Sequence, residues 1–177
     1  MQNHFARFGL QVRYAIDLEA LERAFTQQSF ALHPDFLANA AEAERQRAQH
    51  ASADLNTAYR TLRSEPERAQ YLLGLLVREA QATGRLAPGA QLDAEALPKD
   101  FLQEMFVLQE EVEAATGEAA AALRAQVEAR HRGTLAGRAR LFEEAAQAAD
   151  SERLQALQSN LNQEKYLLRL LERLPSL

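Results

Sequence analysis

The sequence contains no cysteine. Without thiolates, the chain can form no disulfide, use no thiol nucleophile and offer no cysteine ligand to zinc or to an iron–sulfur cluster. Its four histidines, His4, His33, His50 and His131, include no pair four residues apart, and no serine or cysteine nucleophile motif accompanies them. We therefore predict a binding protein, not an enzyme, with no catalytic residues, no bound metal and no cofactor.

The chain also lacks an excess of positive charge, since 20 lysines and arginines face 25 acidic residues. No basic arm or tail is present, which argues against nucleic acid as a partner. The apolar residues of the first ten positions are interrupted by His4 and Arg7, so we expect neither a signal peptide nor a membrane span. A cytoplasmic location is the resulting expectation. A monomer is one option for the oligomeric state, which the sequence leaves open.

Glycine and proline are scarce, with seven and five copies. A chain dominated by alanine, leucine, glutamate, glutamine and arginine is typical of long helices, and we predict an all-α fold. The first helix is capped by Asp17 and ends near His33, because Pro34 disfavours helical geometry in the residue before it. A second long helix is predicted over 41–63, and a shorter third helix begins at Ser64. The predicted buried stripes include Leu18, Leu21, Phe25 and Leu32, then Leu55, Tyr59 and Leu62, then Tyr71, Leu72, Leu75 and Leu76.

Residues 79–96 contain Gly84, Pro88 and Gly89 and show no sustained helical period, so we predict a linker there. Beyond it, apolar periodicity predicts three helices, over about 97–115, over 117–150, and from shortly before Leu154 onward. Three amphipathic helices joined by short breaks favour an antiparallel bundle. Gly133 and Gly137 weaken the middle helix, and we expect a kink or close packing there. The predicted domains are therefore 1–78, a linker over 79–96, and a three-helix bundle over 97–177.

The tripeptide His33-Pro34-Asp35 lies between the two long N-terminal helices, at the tip of the predicted hairpin. Proline fixes its own φ and stiffens the loop, which would then present an imidazole and a carboxylate to a partner. A carboxylate such as that of Asp35 can accept two charge-assisted hydrogen bonds from one arginine. A helix-terminating turn, a catalytic pair and a metal ligand are the alternatives, the last two without a supporting nucleophile or second ligand.

The order of amphipathic helix, His-Pro-Asp loop, long helix and short helix resembles the J-domain. The sequence as a whole is similar to the HscB family, whose members carry a J-domain and a C-terminal helical bundle. The resemblance covers nearly the entire chain and is more specific in the first half. It is carried by Phe8-Gly9-Leu10, Tyr14, Asp17-Leu18-Glu19-Ala20-Leu21, Thr57-Ala58-Tyr59-Arg60-Thr61-Leu62 and Arg68-Ala69-Gln70-Tyr71-Leu72-Leu73.

The resemblance implies a co-chaperone that stimulates the ATPase of a DnaK/HscA-class chaperone. Its chaperone-binding residues would be His33, Pro34 and Asp35, together with Arg23 on the preceding helix. That helix is usually rich in basic residues in this family, and Arg23 is its only one here. We therefore expect weaker electrostatic attraction through this helix.

The resemblance further implies that the C-terminal bundle binds IscU, the scaffold protein on which iron–sulfur clusters are assembled, and delivers it to the chaperone. The same stripe of residues could instead be bundle core, although the helix carries more apolar surface than one seam needs. A J-domain co-chaperone for a different client is the alternative function. The residues that match the scaffold contacts are Leu102, Gln103, Phe106, Val107, Glu110 and Tyr166.

Overall fold

The computed structural model describes residues 2–32 and 41–175. Within those ranges the chain forms eight α-helices and no β-strand, so the predicted all-α fold is confirmed. Their bounds are α1 His4–Arg7, α2 Leu18–Ala31, α3 Glu42–Arg63, α4 Glu65–Ala82, α5 Lys99–Ala114, α6 Gly117–Ala136, α7 Arg138–Gln147 and α8 Ser151–Arg173.

The chain divides into two compact units, Met1–Leu72 and Leu73–Leu177. The boundaries predicted at 78 and 97 stay a prediction. Among the described residues, no helix is both long enough and apolar enough to cross a membrane.

The first unit is organised around α2 and α3. Asp17 caps α2, because its side chain accepts a hydrogen bond from the Ala20 amide at 2.9 Å. The Phe25 ring stacks on Tyr59 with 4.0 Å between centroids, whereas Leu32 at the other end of α2 lies beside Ala48 near the start of α3. The two helices are therefore antiparallel, as predicted. Their buried side chains are Leu21 on α2 and Leu55, Ala58, Tyr59 and Leu62 on α3.

The N-terminal helix α1 is held against α4 within the first unit. The His4 backbone N–H donates to the Tyr71 hydroxyl at 2.9 Å, and the two rings stack with 4.2 Å between centroids. Burial of the imidazole lowers the pKa of His4, and the nearby positive charge of Arg7 lowers it further. Phe5 on the same helix is fully buried.

Arg68 ties the loop before α2 to the end of α3. Its guanidinium donates from Nε to the Tyr14 carbonyl at 3.0 Å and from Nη1 to the Leu62 carbonyl. The side chain is buried, and this desolvation lowers the pKa of Arg68. The guanidinium also lies over the Tyr14 ring, with its carbon 5.7 Å from the ring centroid.

Helix α4 continues to Ala82, beyond Leu76, the last residue of the buried stripe predicted for this helix. No glycine or proline interrupts it between Gly74 and Gly84, and Gly84, with φ of +72°, stands in the left-handed region that ends helices. The segment that follows is fastened by side-chain amides: Gln81 Nε2 donates to the Ala90 carbonyl at 3.0 Å.

Two amides of α8 hold the rest of that segment. Gln155 accepts from the Asp93 N–H at 2.9 Å and donates to the Asp93 carbonyl at 3.1 Å. Asn162, which is buried, donates to the carbonyls of Ala94 and Ala96 at 3.0 and 3.1 Å. The backbone of residues 93–96 is therefore hydrogen-bonded to side chains of α8.

The second unit is a helical bundle whose predicted middle helix is divided at Gly137. The sequence predicts one kinked helix over 117–150; the structure has α6 ending at Ala136 and α7 beginning at Arg138. Glycine weakens helix interiors because the backbone loses more conformational freedom there than with other residues. One buried cluster joins α5, α6 and α8. It comprises Phe101, Met105, Leu108, Val112, Ala120, Leu123, Val127, Leu167, Leu170 and Leu174.

A charged pair lies inside this bundle, where α7 meets α8. Arg138 is 0% exposed and Glu164 is 4% exposed. Arg138 Nη2 lies 2.8 Å from a Glu164 carboxylate oxygen, and its Nε donates to Asn160 Oδ1 at 2.8 Å. Asn160 in turn donates to the Thr134 carbonyl at 3.0 Å, which links the pair to the end of α6. A buried charge is tolerated when it is paired and hydrogen-bonded, and Arg138 is paired through Nη2 and hydrogen-bonded through Nε.

Candidate partner-binding surfaces

Helix α5 has two apolar faces, and only one of them is buried. Its buried residues Phe101, Met105, Leu108 and Val112 recur at spacings of four, three and four, which defines one helical stripe. The adjacent stripe carries Leu102 and Phe106, both exposed. The alternative that these two residues are bundle core is therefore wrong. Pro98 precedes the helix in extended conformation, and Gly117, at φ of +57°, starts the next helix after α5 ends.

The exposed stripe of α5 forms a groove with α8. Three of the groove's side chains are predicted scaffold contacts: Leu102, Phe106 and Tyr166, which are 45%, 66% and 40% exposed. The groove has a volume of about 530 Å³. We call it the α5–α8 groove, and it is lined by Leu102, Met105, Phe106, Gln109, Tyr166, Arg169, Leu170, Glu172 and Arg173.

Tyr166 is held in place by the core beneath it. Its ring meets Phe101 edge-on, with 6.5 Å between centroids and 89° between planes. Phe101 is in turn covered by the Arg130 guanidinium, 5.8 Å from the ring centroid, and Arg130 pairs with Glu104 at 3.1 Å. The aromatic on the groove wall therefore rests on buried side chains that limit its movement.

The other three predicted contacts do not line the groove. Gln103, Val107 and Glu110 are exposed on α5, but none of them borders the α5–α8 groove. They lie on the neighbouring surface of the same helix. A partner wide enough to cover the groove and this flank would meet all six predicted residues.

Arg169 and Arg173 also border the groove, on α8, and neither was predicted from the sequence. The sequence could have indicated them, because positions three and seven residues after Tyr166 lie on the same helix face. Arg173 is already paired, with its Nη2 2.9 Å from a Glu113 oxygen. This contact lowers the pKa of Glu113. Arg169 has its guanidinium carbon 5.9 Å from the centre of the Tyr166 ring.

The predicted chaperone-binding residues lie in the first unit. His33, Pro34 and Asp35 fall outside the described residues, in the interval between the end of α2 and the start of α3. Arg23 is exposed on α2 and makes ion pairs with Asp17 and Glu19, at 4.0 and 3.5 Å. The one cation on this helix is therefore partly offset by its own neighbours, and its chaperone contact stays a prediction.

The described residues contain no group of side chains that could hold a metal ion. Across residues 2–32 and 41–175, no three His, Asp or Glu side chains are grouped closely enough to hold an ion. His131 Nε2 lies 3.5 Å from Glu164, but the other partner of that carboxylate is Arg138.

Comparison with known proteins identifies a matching family model and a curated relative. Residues 97–174 match the family model described as the HSCB C-terminal oligomerisation domain. The co-chaperone protein HscB homolog of Cupriavidus taiwanensis is 45% identical over 83 residues, which are 47% of each chain. The match thus spans about half the length of that curated relative.

Two solved structures resemble the whole chain. The chaperone HscB from Vibrio cholerae is 30% identical, with a TM-score of 0.67, and the alignment covers 96% of this chain and 93% of that one. Human co-chaperone protein HscB is 21% identical with a TM-score of 0.75, over 97% of this chain and 80% of that one. The human likeness concerns the fold, whereas the bacterial one also extends to sequence along nearly the full length.

Proposed function

Because this chain belongs to the HscB co-chaperone family, we propose that it stimulates a DnaK/HscA-class ATPase and delivers an IscU-type iron–sulfur scaffold to it. In this proposal the J-domain spans 1–78, a linker spans 79–96 and the scaffold-binding bundle spans 97–177. The protein works by binding and is not an enzyme. The observation that carries the proposal is the exposed apolar groove on α5 and α8, in the part of the chain that matches the C-terminal family model.

The chaperone-binding end is assigned to His33, Pro34 and Asp35. Support comes from the antiparallel pair α2 and α3, which brackets the tripeptide in sequence. An imidazole and a carboxylate offered by a proline-containing connection would engage the ATPase domain at low entropic cost. Since Arg23 is offset by Asp17 and Glu19, we assign it a secondary role in attraction.

The chaperone-binding end is tested by single-turnover ATP hydrolysis of a DnaK-class chaperone. His33→Gln and Asp35→Asn should each abolish stimulation, because each removes a group that the ATPase domain would contact. The matched control is His50→Gln, the same substitution at an exposed position of α3, which should retain stimulation. If His33→Gln stimulates as well as the unchanged protein, the J-domain assignment is wrong.

The scaffold-binding end is assigned to Leu102, Phe106 and Tyr166 in the groove, with Gln103, Val107 and Glu110 on the flank. Exposed apolar side chains gathered in one concave surface favour a protein partner. Tyr166 and Phe106 are aromatic, and aromatic anchors contribute a large share of interface energy. The acidic Glu110 beside them would face basic groups of the scaffold.

The scaffold-binding end is tested by titrating an IscU-type scaffold with the double variant Leu102→Ala, Phe106→Ala. Affinity should fall by about 30-fold or more, the factor that corresponds to loss of a hot spot of about 2 kcal/mol. Unfolding free energy should change little, because both side chains are exposed. The control Leu168→Ala removes an exposed leucine of α8 that does not border the groove and should bind normally.

A double variant that binds the scaffold with unchanged affinity would contradict the scaffold assignment. If the chaperone ATPase is stimulated but no scaffold binds, the protein is a J-domain co-chaperone for a different client. A cytoplasmic location is part of the proposal, because a bacterial DnaK-class partner would be found there.

A further inference from the structure

The α5–α8 groove is apolar at its centre and charged at its α8 edge. The edge carries Arg169, Glu172 and Arg173, within about one helical turn. The two arginines differ in their surroundings. Arg173 forms an ion pair with Glu113 at 2.9 Å, so its charge is already balanced by a residue of the same chain.

Arg169 makes no ion pair and no hydrogen bond with any described residue. Its guanidinium lies over Tyr166, 5.9 Å from the ring centre, and the side chain is exposed. Glu172 borders the same groove but does not come within ion-pair distance of Arg169. A cation within about 6 Å of a ring centroid is attracted to the face of that ring, so Tyr166 favours this position of the guanidinium.

The N–H groups of Arg169 are therefore available to a partner. A guanidinium can donate two parallel hydrogen bonds to one carboxylate. The Tyr166 ring beside Arg169 contacts the buried Phe101 edge-on. Arg169 thus lies at the edge of the apolar groove, next to an aromatic ring that is supported by the core.

We propose that Arg169 is a specificity-determining residue of the groove, which binds a carboxylate of the scaffold beside the apolar side chain that contacts Leu102 and Phe106. This inference rests on the proposed function, because it names which feature of the scaffold is recognised. The ligand is an exposed apolar residue flanked by Asp or Glu. The two edges of this surface carry charges of opposite sign, Glu110 on the α5 flank and Arg169 on the α8 edge. The Arg169 edge would therefore attract an acidic group and the Glu110 edge a basic one.

The experiment is calorimetric titration of an IscU-type scaffold with Arg169→Gln, Arg169→Lys and the control Lys165→Gln. Lys165 is exposed on the same helix and does not border the groove, so the control removes the same charge elsewhere. Arg169→Gln should weaken binding about tenfold, the effect of a charge-assisted hydrogen bond. Arg169→Lys should lie between, because it keeps the charge and loses the bidentate geometry. Lys165→Gln should change affinity less than about twofold.

The acidic residues of the scaffold supply a second measurement. Each is changed to its amide, and binding is measured with the unchanged chain and with Arg169→Gln. One such change should weaken binding to the unchanged chain and have no further effect with Arg169→Gln, as a double-mutant cycle requires for a direct pair. A purely structural role for Arg169 would produce no such coupling. The far-UV circular dichroism of Arg169→Gln should match the unchanged protein.

The outcomes separate this inference from the proposed function. If Leu102→Ala, Phe106→Ala weakens binding while Arg169→Gln behaves like Lys165→Gln, the groove binds the scaffold and the role of Arg169 is refuted. That role is also refuted if no scaffold carboxylate is coupled to Arg169. If the unchanged chain does not bind the scaffold, or if only a second copy of this chain occupies the groove, both proposals are overturned.

Discussion

The buried pair Arg138–Glu164 gives the sharpest stability prediction. In Glu164→Gln the negative charge is removed, and the fully buried guanidinium of Arg138 loses the carboxylate that lies 2.8 Å from its Nη2. Removing one member of a buried ion pair costs about 3–5 kcal/mol, because the remaining charge is left desolvated without compensation. Arg138 keeps its hydrogen bond to Asn160 at 2.8 Å, and glutamine retains one acceptor oxygen. We therefore expect the lower end, a loss of about 3 kcal/mol in unfolding free energy.

The measurement is urea denaturation of the full chain, followed by far-UV circular dichroism. The matched control is Glu144→Gln, which breaks the exposed pair between Glu144 and Arg140, separated by 3.1 Å. Exposed pairs contribute about 0–1 kcal/mol, so the control should be nearly neutral. Replacing both buried partners, as in Arg138→Met with Glu164→Leu, should bring stability back to within about 1–2 kcal/mol of the unchanged protein. The reasoning is refuted if Glu164→Gln destabilises no more than Glu144→Gln.

Two further predictions concern pH and backbone protection. The pKa of His4 is lowered from 6.5 in the folded chain, so the unfolded state binds more protons in this range; stability should be fully present above about pH 6.5 and fall as pH drops toward the folded pKa. His4→Phe keeps a ring on Tyr71 and should flatten the pH dependence of unfolding measured between about pH 4 and 7, whereas an unchanged slope would contradict the assignment to His4. Gln155→Ala should speed hydrogen exchange of the Asp93 amide about fivefold, the factor for a hydrogen bond of about 1 kcal/mol; exchange at the original rate would show that Gln155 does not protect it.

Helical periodicity predicted part of the burial in the first unit, although the charged Arg68 is buried there as well. Leu21 and Leu55 are apolar residues on the predicted stripes, and both are buried. Leu18, assigned to the same stripe as Leu21, is half-exposed in the first turn of α2. Periodicity gives the direction of a helix face but not how far the neighbouring elements extend along it.

The second unit was harder to predict, because several of its features do not depend on apolar patterning. Helix α5 carries two adjacent apolar stripes, so the sequence does not show which of them is buried. Packing against α6 and α8 buries Phe101 and Met105 and leaves Leu102 and Phe106 exposed. Arginine is rarely fully buried, so nothing in the sequence marks Arg138 as an interior residue. The break at Gly137 was expected as a kink, but glycine alone does not specify whether a helix bends or ends.

The groove was predictable in part. Its apolar residues came from the resemblance to HscB proteins, since Leu102, Phe106 and Tyr166 match the family's scaffold contacts. Arg169 was not predicted, although its spacing of three residues from Tyr166 places it on the same helix face. The spacing does not show that the guanidinium lies near the Tyr166 ring or that its charge is without an ion-pair partner among the described residues. The resemblance identifies the contact positions, whereas the structure shows which neighbouring side chains line the groove with them.

The hydrogen bonds that the Asn162 amide donates to Ala94 and Ala96 affect where this chain can be cut to make a fragment. A fragment beginning at residue 97, where the family model starts, would delete both carbonyls that Asn162 binds. A buried amide without acceptors destabilises a fold by about 1–3 kcal/mol. A truncated version intended for crystallisation or for binding studies is therefore better started before Ala90, so that residues 93–96 of the proposed linker keep their hydrogen bonds to α8.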